Sequence, residues 1–180
     1  MAEPSPAAIV RDARPDDAHA LAELHVRTWQ STYVGIVPQR VLDGLSVERR
    51  EAYWRERLAE AAGDRRTWVA EADGMPAGFV TAGRTRDDDL RAEAPDAGEV
   101  YAIYVATWAQ GRAVGRALMI VALDWLRRAG RNPVAVWVIV GNDPAIRFYE
   151  QLGFRPDGAR QPIDFDGTPV DEIRFRLRDA

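Results

Sequence analysis

The chain has 180 residues, a formal net charge of −4 and no cysteine. A chain of this length suits one compact domain, and the absence of cysteine excludes disulfides, thiolate metal sites and a cysteine nucleophile. Because the basic side chains other than the two histidines are arginines spread along the chain, neither a lysine Schiff base nor a nucleic-acid-binding patch is expected.

Residues 1–8 are mostly small and include proline, which predicts a flexible tail ahead of a single domain over residues 9–180. The first six residues lack the basic and apolar regions of a signal peptide. No window of the sequence approaches the length of a membrane span. We therefore expect a cytoplasmic protein with no membrane partner and no nucleic-acid partner.

The next part of the sequence predicts a short strand followed by helices. The strand is predicted at residues 9–11, and a helix runs from a capping Asp16 or Asp17 to about Trp29. A second helical segment, with breaks, is predicted over residues 38–62.

A β-hairpin and a polar loop are predicted next. Residues 67–71 and 77–84 alternate or run apolar around the turn Asp73-Gly74, which is a hairpin signal. The polar residues 85–98 predict a surface loop. The acidic run Asp87-Asp88-Asp89 within it could hold a hard cation, but a solvated loop is favoured. Since the chain has only two histidines, no metal site is predicted.

Two strands in the second half of the chain are predicted to lie in the middle of a sheet. Residues 100–105 and 134–140 are apolar on both faces, and the apolar residues between them recur at helical spacing. These segments predict a βαβ unit. Asn142, followed by Asp-Pro, predicts the start of another helix, and Phe154 and residues 173–177 indicate two closing strands.

Residues 110–118 form a glycine-containing turn that opens a helix. Backbone N–H groups at a helix start have no partner in the helix, and the helix dipole favours a negative charge there. Arg112 and Arg116 lie in or just before the first helical turn, where cations oppose the dipole. Their placement favours a multiply charged anion docked between them, and the alternative is an ordinary capped helix with solvated arginines.

This turn, Gln110-Gly111-Arg112-Ala113-Val114-Gly115, resembles the phosphate-binding signature of the GNAT superfamily of acetyl-CoA-dependent N-acetyltransferases. Ala113 stands where that family usually has glycine, and a methyl group there is expected to require a negative φ. Other segments of the chain also resemble the family's and occur in the same order, so the resemblance covers about residues 9–178. A second match resembles the family's helix and strand on the other side of the cofactor: Asn142, Ala145 and Phe148-Tyr-Glu-Gln-Leu-Gly-Phe154.

The resemblance implies an α/β fold in which a central twisted mixed β-sheet is flanked by helices and splayed between the two motif strands. Acetyl-CoA is the implied co-substrate, with pantetheine in the gap. The implied cofactor contacts are the backbone of Tyr104 and Val105 for pantetheine, Gln110, Gly111, Arg112, Ala113, Val114, Gly115 and Arg116 around the pyrophosphate, and Asn142, Ala145, Phe148 and Tyr149 beside the pantetheine arm.

Two residues are candidates for the chemistry that the resemblance implies. Glu99 precedes Gln110 by the interval at which family members place a glutamate base, and partial burial would increase its basicity. The alternative is that Glu99 ends the polar loop and faces solvent. Tyr149 matches a tyrosine near the cofactor sulfur that could protonate the leaving thiolate, and its alternative role is core packing.

The acceptor is the least defined part of this interpretation. His25, Trp29 and Tyr33 lie at spacings of four, in the region that forms the acceptor wall in similar enzymes, and an aromatic wall suits a cationic amine. The alternative is that these three residues belong to the core.

The resemblance thus implies acetyl transfer to a small-molecule or peptide amine. Since there is no cysteine to carry the acetyl group, direct attack in a ternary complex is the simplest mechanism. A homodimer is expected by analogy alone. The alternatives are a non-catalytic acyl-CoA-binding or regulatory module of the same fold and a phosphate-ligand protein of another fold.

Overall fold

The computed structural model describes residues 8–60 and 63–178, so the predicted tail lies outside the described residues except for Ala8, which packs against the core. No helix within the described ranges is long and apolar enough to cross a membrane. In chain order the elements are β1 (Ile9–Asp12), α1 (Ala18–Thr32), α2 (Gln39–Asp43), α3 (Val47–Ala59), β2 (Arg65–Ala72), β3 (Met75–Arg84), α4 (Asp88–Glu93), β4 (Gly98–Val105), α5 (Val114–Arg128), β5 (Val134–Ile139), α6 (Asp143–Gln151), β6 (Arg155–Phe165) and β7 (Thr168–Leu177).

The seven strands form one mixed sheet in the order β1-β2-β3-β4-β5-β7-β6. β4 and β5 are parallel, and every other neighbouring pair is antiparallel. The parallel pairing covers only residues 98–100 of β4 against 134–136 of β5. Beyond those three pairs the two strands separate, which confirms the expected splay.

A β-bulge lies at the point where β4 leaves β5. The register between β3 and β4 shifts between Thr81 and Ala82, and Tyr101 is the additional residue on β4. A bulge bends its strand and increases the local twist. β4 therefore follows β3 away from β5, while β5 pairs over six residues with β7 instead.

Apolar residues cover both faces of the sheet, as the sequence of the central strands predicts. α5 and α6 pack on one face, where Leu118, Val136 and Phe154 belong to the largest buried cluster. α1 and α3 pack on the other face around Trp54 and Phe79. The sheet is thus the middle layer of three, which fixes the helices relative to the gap between β4 and β5.

The prediction of a surface loop over residues 85–98 is wrong in its central part, which forms α4. Leu90 of this helix is fully buried. Asp87 and Asp89 pair with the buried Arg174 of β7 at 3.0 and 2.7 Å. The Asp87 side chain is only 14% exposed, whereas that of Asp89 remains 65% exposed. The carboxylates are neutralised by an arginine distant in sequence, which local composition does not reveal.

The C-terminal strands are also longer than the sequence indicates. Residues 154 and 173–177 predict two short closing strands, whereas β6 and β7 form one hairpin that extends from Arg155 to Leu177. β6 has little apolar alternation because it is the edge strand and much of it is exposed. The hydrophobic signal used for the other strands is therefore weak here.

We expect Gly78→Ala to destabilise the fold, because a Cβ atom on Gly78 of β3 would lie 2.7 Å from the carbonyl oxygen of Tyr104. The predicted loss is about 1–3 kcal/mol of unfolding free energy, measured by urea denaturation. Gly115→Ala is the matched control, since its Cβ would meet only ordinary contacts of 3.4 Å or more. Equal stability of Gly78→Ala and the wild type would contradict this packing.

Candidate active site

The separation of β4 and β5 opens a cleft of about 810 Å³. Its walls are the end of α1 and the following segment, the end of β4, the turn into α5, the end of β5, and α6. The cleft brings together most of the residues singled out from the sequence: Tyr33, Tyr104, Val105, Gln110, Gly111, Ala113, Val114, Gly115, Arg116, Asn142, Ala145, Phe148 and Tyr149. Glu99, Arg112, His25 and Trp29 lie outside its lining.

The start of α5 presents unpaired backbone donors to one end of the cleft. Ala117 donates the first helical hydrogen bond, to the carbonyl oxygen of Ala113 at 3.0 Å. The N–H groups of Val114, Gly115 and Arg116 precede that bond and have no helical acceptor. Among the described lining residues Arg116 is the single charged one. These donors and this cation fit a diphosphate group.

Arg112 lies outside the lining of the cleft and pairs with a residue of the β2–β3 turn. Its Nη1 donates to Asp73 in the β2–β3 turn at 2.9 Å, and its guanidinium lies 5.7 Å from the centre of the Trp108 ring. Only Arg116 of the two arginines reaches the cleft. The Arg112 side chain instead ties the turn before α5 to the hairpin.

Ala113 departs from the conformation expected for it. Its φ is +61°, in the left-handed region, so the expectation of a negative φ is wrong. Gly111, two residues earlier, has a φ of +76°. Residue 113 therefore has a backbone conformation that glycine adopts readily. Alanine in this conformation lowers the stability of the fold by about 1–2 kcal/mol.

α6 forms the opposite wall and begins at a side-chain cap. The Oδ1 atom of Asn142 accepts from the N–H of Ala145 at 3.3 Å, as the Asn-Asp-Pro sequence predicts. The Phe148 ring faces Gly115 of α5, where an added Cβ atom would lie at an ordinary contact distance of 3.4 Å. The gap between the two helices is therefore lined by apolar groups at this point.

Tyr149 packs against the core and also borders the cleft. It is 6% exposed, its ring packs 5.8 Å from that of Phe154, and it lines the cleft. Burial raises the pKa of the Tyr149 hydroxyl above its ordinary value. The phenol therefore remains protonated at neutral pH and is available as a proton donor.

Glu99 is 1% exposed, which excludes the alternative that it faces solvent. It pairs with Ala135 in the short parallel ladder, at the closed end of the gap. Its carboxylate accepts the backbone N–H of Arg86 at 2.8 Å and the Nε and Nη2 groups of the same residue at 3.1 and 2.5 Å. Arg86 is a partner of Glu99 that the sequence did not show.

The aromatic residues of α1 form two layers. Tyr33 lines the cleft, while Trp29 lies behind it, with ring centroids 4.8 Å apart, and donates to the Tyr104 hydroxyl at 2.8 Å. His25 lies deeper, 4.8 Å from the Tyr104 ring, and neither of its ring nitrogens has a hydrogen-bond partner. Burial, with a smaller contribution from the Arg50 charge, lowers the pKa of His25 to about 3. Of these three residues, Tyr33 alone lines the cleft.

Residues 16–154 match the family model described as "Acetyltransferase (GNAT) family". The chain belongs to the GNAT acetyltransferase family. Its relatives include the uncharacterized N-acetyltransferase YuaI of Bacillus subtilis (strain 168), which is 34% identical over 166 residues, or 91% of this chain and 89% of the relative. This protein is accordingly an acetyl-CoA-dependent acetyltransferase.

Solved structures share the fold of this acetyltransferase. YncA of Salmonella typhimurium, solved with its cofactor acetyl-CoA, has a TM-score of 0.70 and 23% identity, with 96% of this chain and 94% of that chain covered. The PaiA N-acetyltransferase of Thermoplasma acidophilum, in complex with coenzyme A, has a TM-score of 0.69 and 18% identity, with 96% and 100% covered.

Several cleft residues of the acetyltransferase escaped the sequence analysis. Trp137 lies in an apolar strand, where periodicity does not distinguish a core residue from a cleft residue. Thr28 of α1 is only 7% exposed, which is typical of a core residue, but it also lines the cleft. Ile36 lies outside regular secondary structure, so it carries no periodic signal.

Ala113→Gly is expected to stabilise the acetyltransferase by up to about 1 kcal/mol, because glycine adopts a φ of +61° without the steric cost of a Cβ atom. Urea denaturation and calorimetric titration with coenzyme A would measure stability and affinity, and we expect the affinity to be maintained or improved. Gly111→Ala, at a φ of +76°, is the reverse control and should destabilise. A loss of stability typical of Ala→Gly in a helix would contradict the left-handed assignment.

The buried His25 predicts sensitivity to acid. Because its pKa is about 3 in the folded state and 6.5 ordinarily, the unfolded chain binds the additional proton between those values. The stability that depends on neutral His25 is complete above pH 6.5 and decreases as the pH falls toward 3. The wild type should lose about 2 kcal/mol from this group by pH 5.

His25→Phe should remove that decrease, as measured by urea denaturation at a series of pH values. His19→Gln is the control, since His19 is exposed and its hydrogen bond to Glu51 raises its pKa. Its contribution is therefore complete below the ordinary pKa and lost at higher pH, and the variant should keep the acid slope of the wild type. An unchanged acid slope in His25→Phe would disprove the assignment.

Proposed function

We propose that the enzyme transfers the acetyl group of acetyl-CoA to a primary amine of a small molecule or peptide by direct attack in a ternary complex. The observation that supports this most strongly is the continuous cleft, which runs from the free N–H groups of α5, through the gap between β4 and β5, to Tyr149. One end of the cleft suits a diphosphate and the other is uncharged, as a phosphate-bearing thioester requires.

The residues of the cleft would divide the binding of the donor between them. The N–H groups at the start of α5, together with Arg116, would hold the diphosphate. Val105 and Phe148 lie along the gap, where the pantetheine arm would extend. Gln110 donates its side-chain amide to the carbonyl oxygen of Val105 at 3.3 Å and so fixes the end of β4. The backbone of Val105 is the candidate donor to the thioester carbonyl.

Proton transfer would involve a residue at each side of the reaction centre. Glu99 is the proposed base, acting through water because it lies at the closed end of the gap and outside the cleft lining. Arg86 keeps its carboxylate oriented. Tyr149 is the proposed acid for the departing thiolate, because its protonated hydroxyl belongs to a residue that lines the cleft.

Thiol release from acetyl-CoA would test the proposal with a panel of amines: 2-phenylethylamine, 1,4-diaminobutane, amino acids, an aminoglycoside and a peptide with a free N-terminus. With an accepted amine, Tyr149→Phe should lower kcat by about 10²-fold or more while the affinity for coenzyme A changes little. Glu99→Gln should lower kcat/KM most below the pH optimum. Tyr53→Phe, an exposed phenol on α3, is the control.

Full activity of Glu99→Gln at every pH would remove Glu99 from the mechanism, and full activity of Tyr149→Phe would remove the proposed acid. Initial rates measured over both substrates should give intersecting reciprocal plots, as a ternary complex requires. Parallel plots would indicate an acetylated enzyme and contradict direct attack.

A further inference from the structure

The end of the cleft away from Arg116, where the acceptor would bind, has walls without charge. Tyr33 and Ile36 lie on the α1 side, and Trp137 of β5 lies on the other side. Arg116, at the diphosphate end, is the charged residue among the described lining positions. An acceptor with a second ammonium group would therefore find no carboxylate on these walls.

The carboxylates nearest in the fold to this end already have partners. Glu99 is bound by Arg86, and Asp87 by Arg174 at 3.0 Å. Glu172, which pairs with Ile139 at the end of β5, accepts from Gln161 at 2.6 Å, and burial raises its pKa. None of the three lines the cleft. A polycationic acceptor is accordingly disfavoured by charge.

Trp137 is held in place from two directions. Its Nε1 donates to both carboxylate oxygens of Asp87, at 3.2 and 3.0 Å. The guanidinium of Arg174, its cross-strand neighbour, lies over its ring at 5.4 Å and is itself only 2% exposed. Arg174 also binds Asp89 and Asp157, so the indole rests on a fully paired ionic network. Such support fixes the rotamer of a half-buried ring at the edge of a cleft.

We propose that the acceptor is a monoamine carried on an aromatic body that packs against Trp137, and that Asp87 is the positioning residue that orients this indole. A fixed aromatic ring binds a second ring at little entropic cost, because it does not need to be ordered on binding. The uncharged walls accept such a body without leaving a charge unpaired. This inference rests on the proposed amine acetylation and specifies its substrate class.

The test compares 2-phenylethylamine with 1,4-diaminobutane as acceptors in the thiol-release assay. We expect kcat/KM to be about ten-fold or more higher for 2-phenylethylamine. A preference for 1,4-diaminobutane that disappears in Glu172→Gln would overturn the inference, because it would show that a second ammonium group binds to Glu172.

Variants of Trp137 and Asp87 test the positioning role. Trp137→Ala should raise the KM for 2-phenylethylamine about ten-fold and leave the KM for acetyl-CoA unchanged, and Trp137→Phe, which keeps a ring but loses the N–H donor, should have a smaller effect. Asp87→Asn should raise the same KM more than it lowers kcat. Asp88→Asn is the matched control, because Asp88 is exposed and pairs only with Arg91 among the described residues. An unchanged KM in Trp137→Ala would contradict the proposal.

The outcomes for this inference and for the proposed function can be distinguished. If 2-phenylethylamine is not acetylated while another amine of the panel is, the substrate class is wrong and amine acetylation stands. If no amine supports thiol release although coenzyme A binds, the proposed function itself fails. A purely structural role for Asp87 would lower the melting temperature of Asp87→Asn and leave its KM for 2-phenylethylamine unchanged.

Discussion

The separation of β4 from β5 is the constraint on which the rest of the molecule depends. The two strands pair over only three residues, and the hydrogen bond from the Gly98 N–H to the carbonyl oxygen of Pro133 closes the ladder at 2.9 Å. Backbone groups that would continue a parallel ladder then lie beside a cleft, where they need other partners. Gln110 supplies one for Val105. A ligand that is itself rich in amide groups, such as pantetheine, can supply others.

Apolar packing and a buried ionic network stabilise different parts of the molecule. Around α5 the packing is apolar, and Leu118, Met119 and Leu126 are completely buried. Around α4 a buried arginine, Arg174, is shared by three aspartates. A buried ionic group is tolerated only when it is fully paired, so its geometry is more exacting than that of an apolar contact. The ionic network fixes Trp137, whereas apolar clusters pack on both faces of the sheet.

Most of the fold could be predicted from the sequence because its signals are local. The βαβ unit, the Asp73-Gly74 hairpin and the Asn142 cap depend on periodicity and on turn or capping residues, and all three are present. The sequence does not reveal pairings between residues that are distant along the chain. The partner of Asp87 is Arg174, that of Arg112 is Asp73 and that of Glu99 is Arg86, and no spacing rule connects such pairs. The φ of Ala113 differs from the expected one because the surrounding turn, and not the preference of an isolated alanine, determines the backbone.

Hydrogen exchange of backbone amides with and without acetyl-CoA tests the central claim most directly. If the donor lies in the gap between β4 and β5, protection should appear at the end of β4 and at residues 111–116, while residues 98–100, already paired in the ladder, should change little. A second cavity, of about 340 Å³ beside Trp54 and Thr67, is the alternative place where the donor could bind. Protection there, with residues 111–116 unchanged, would contradict the account.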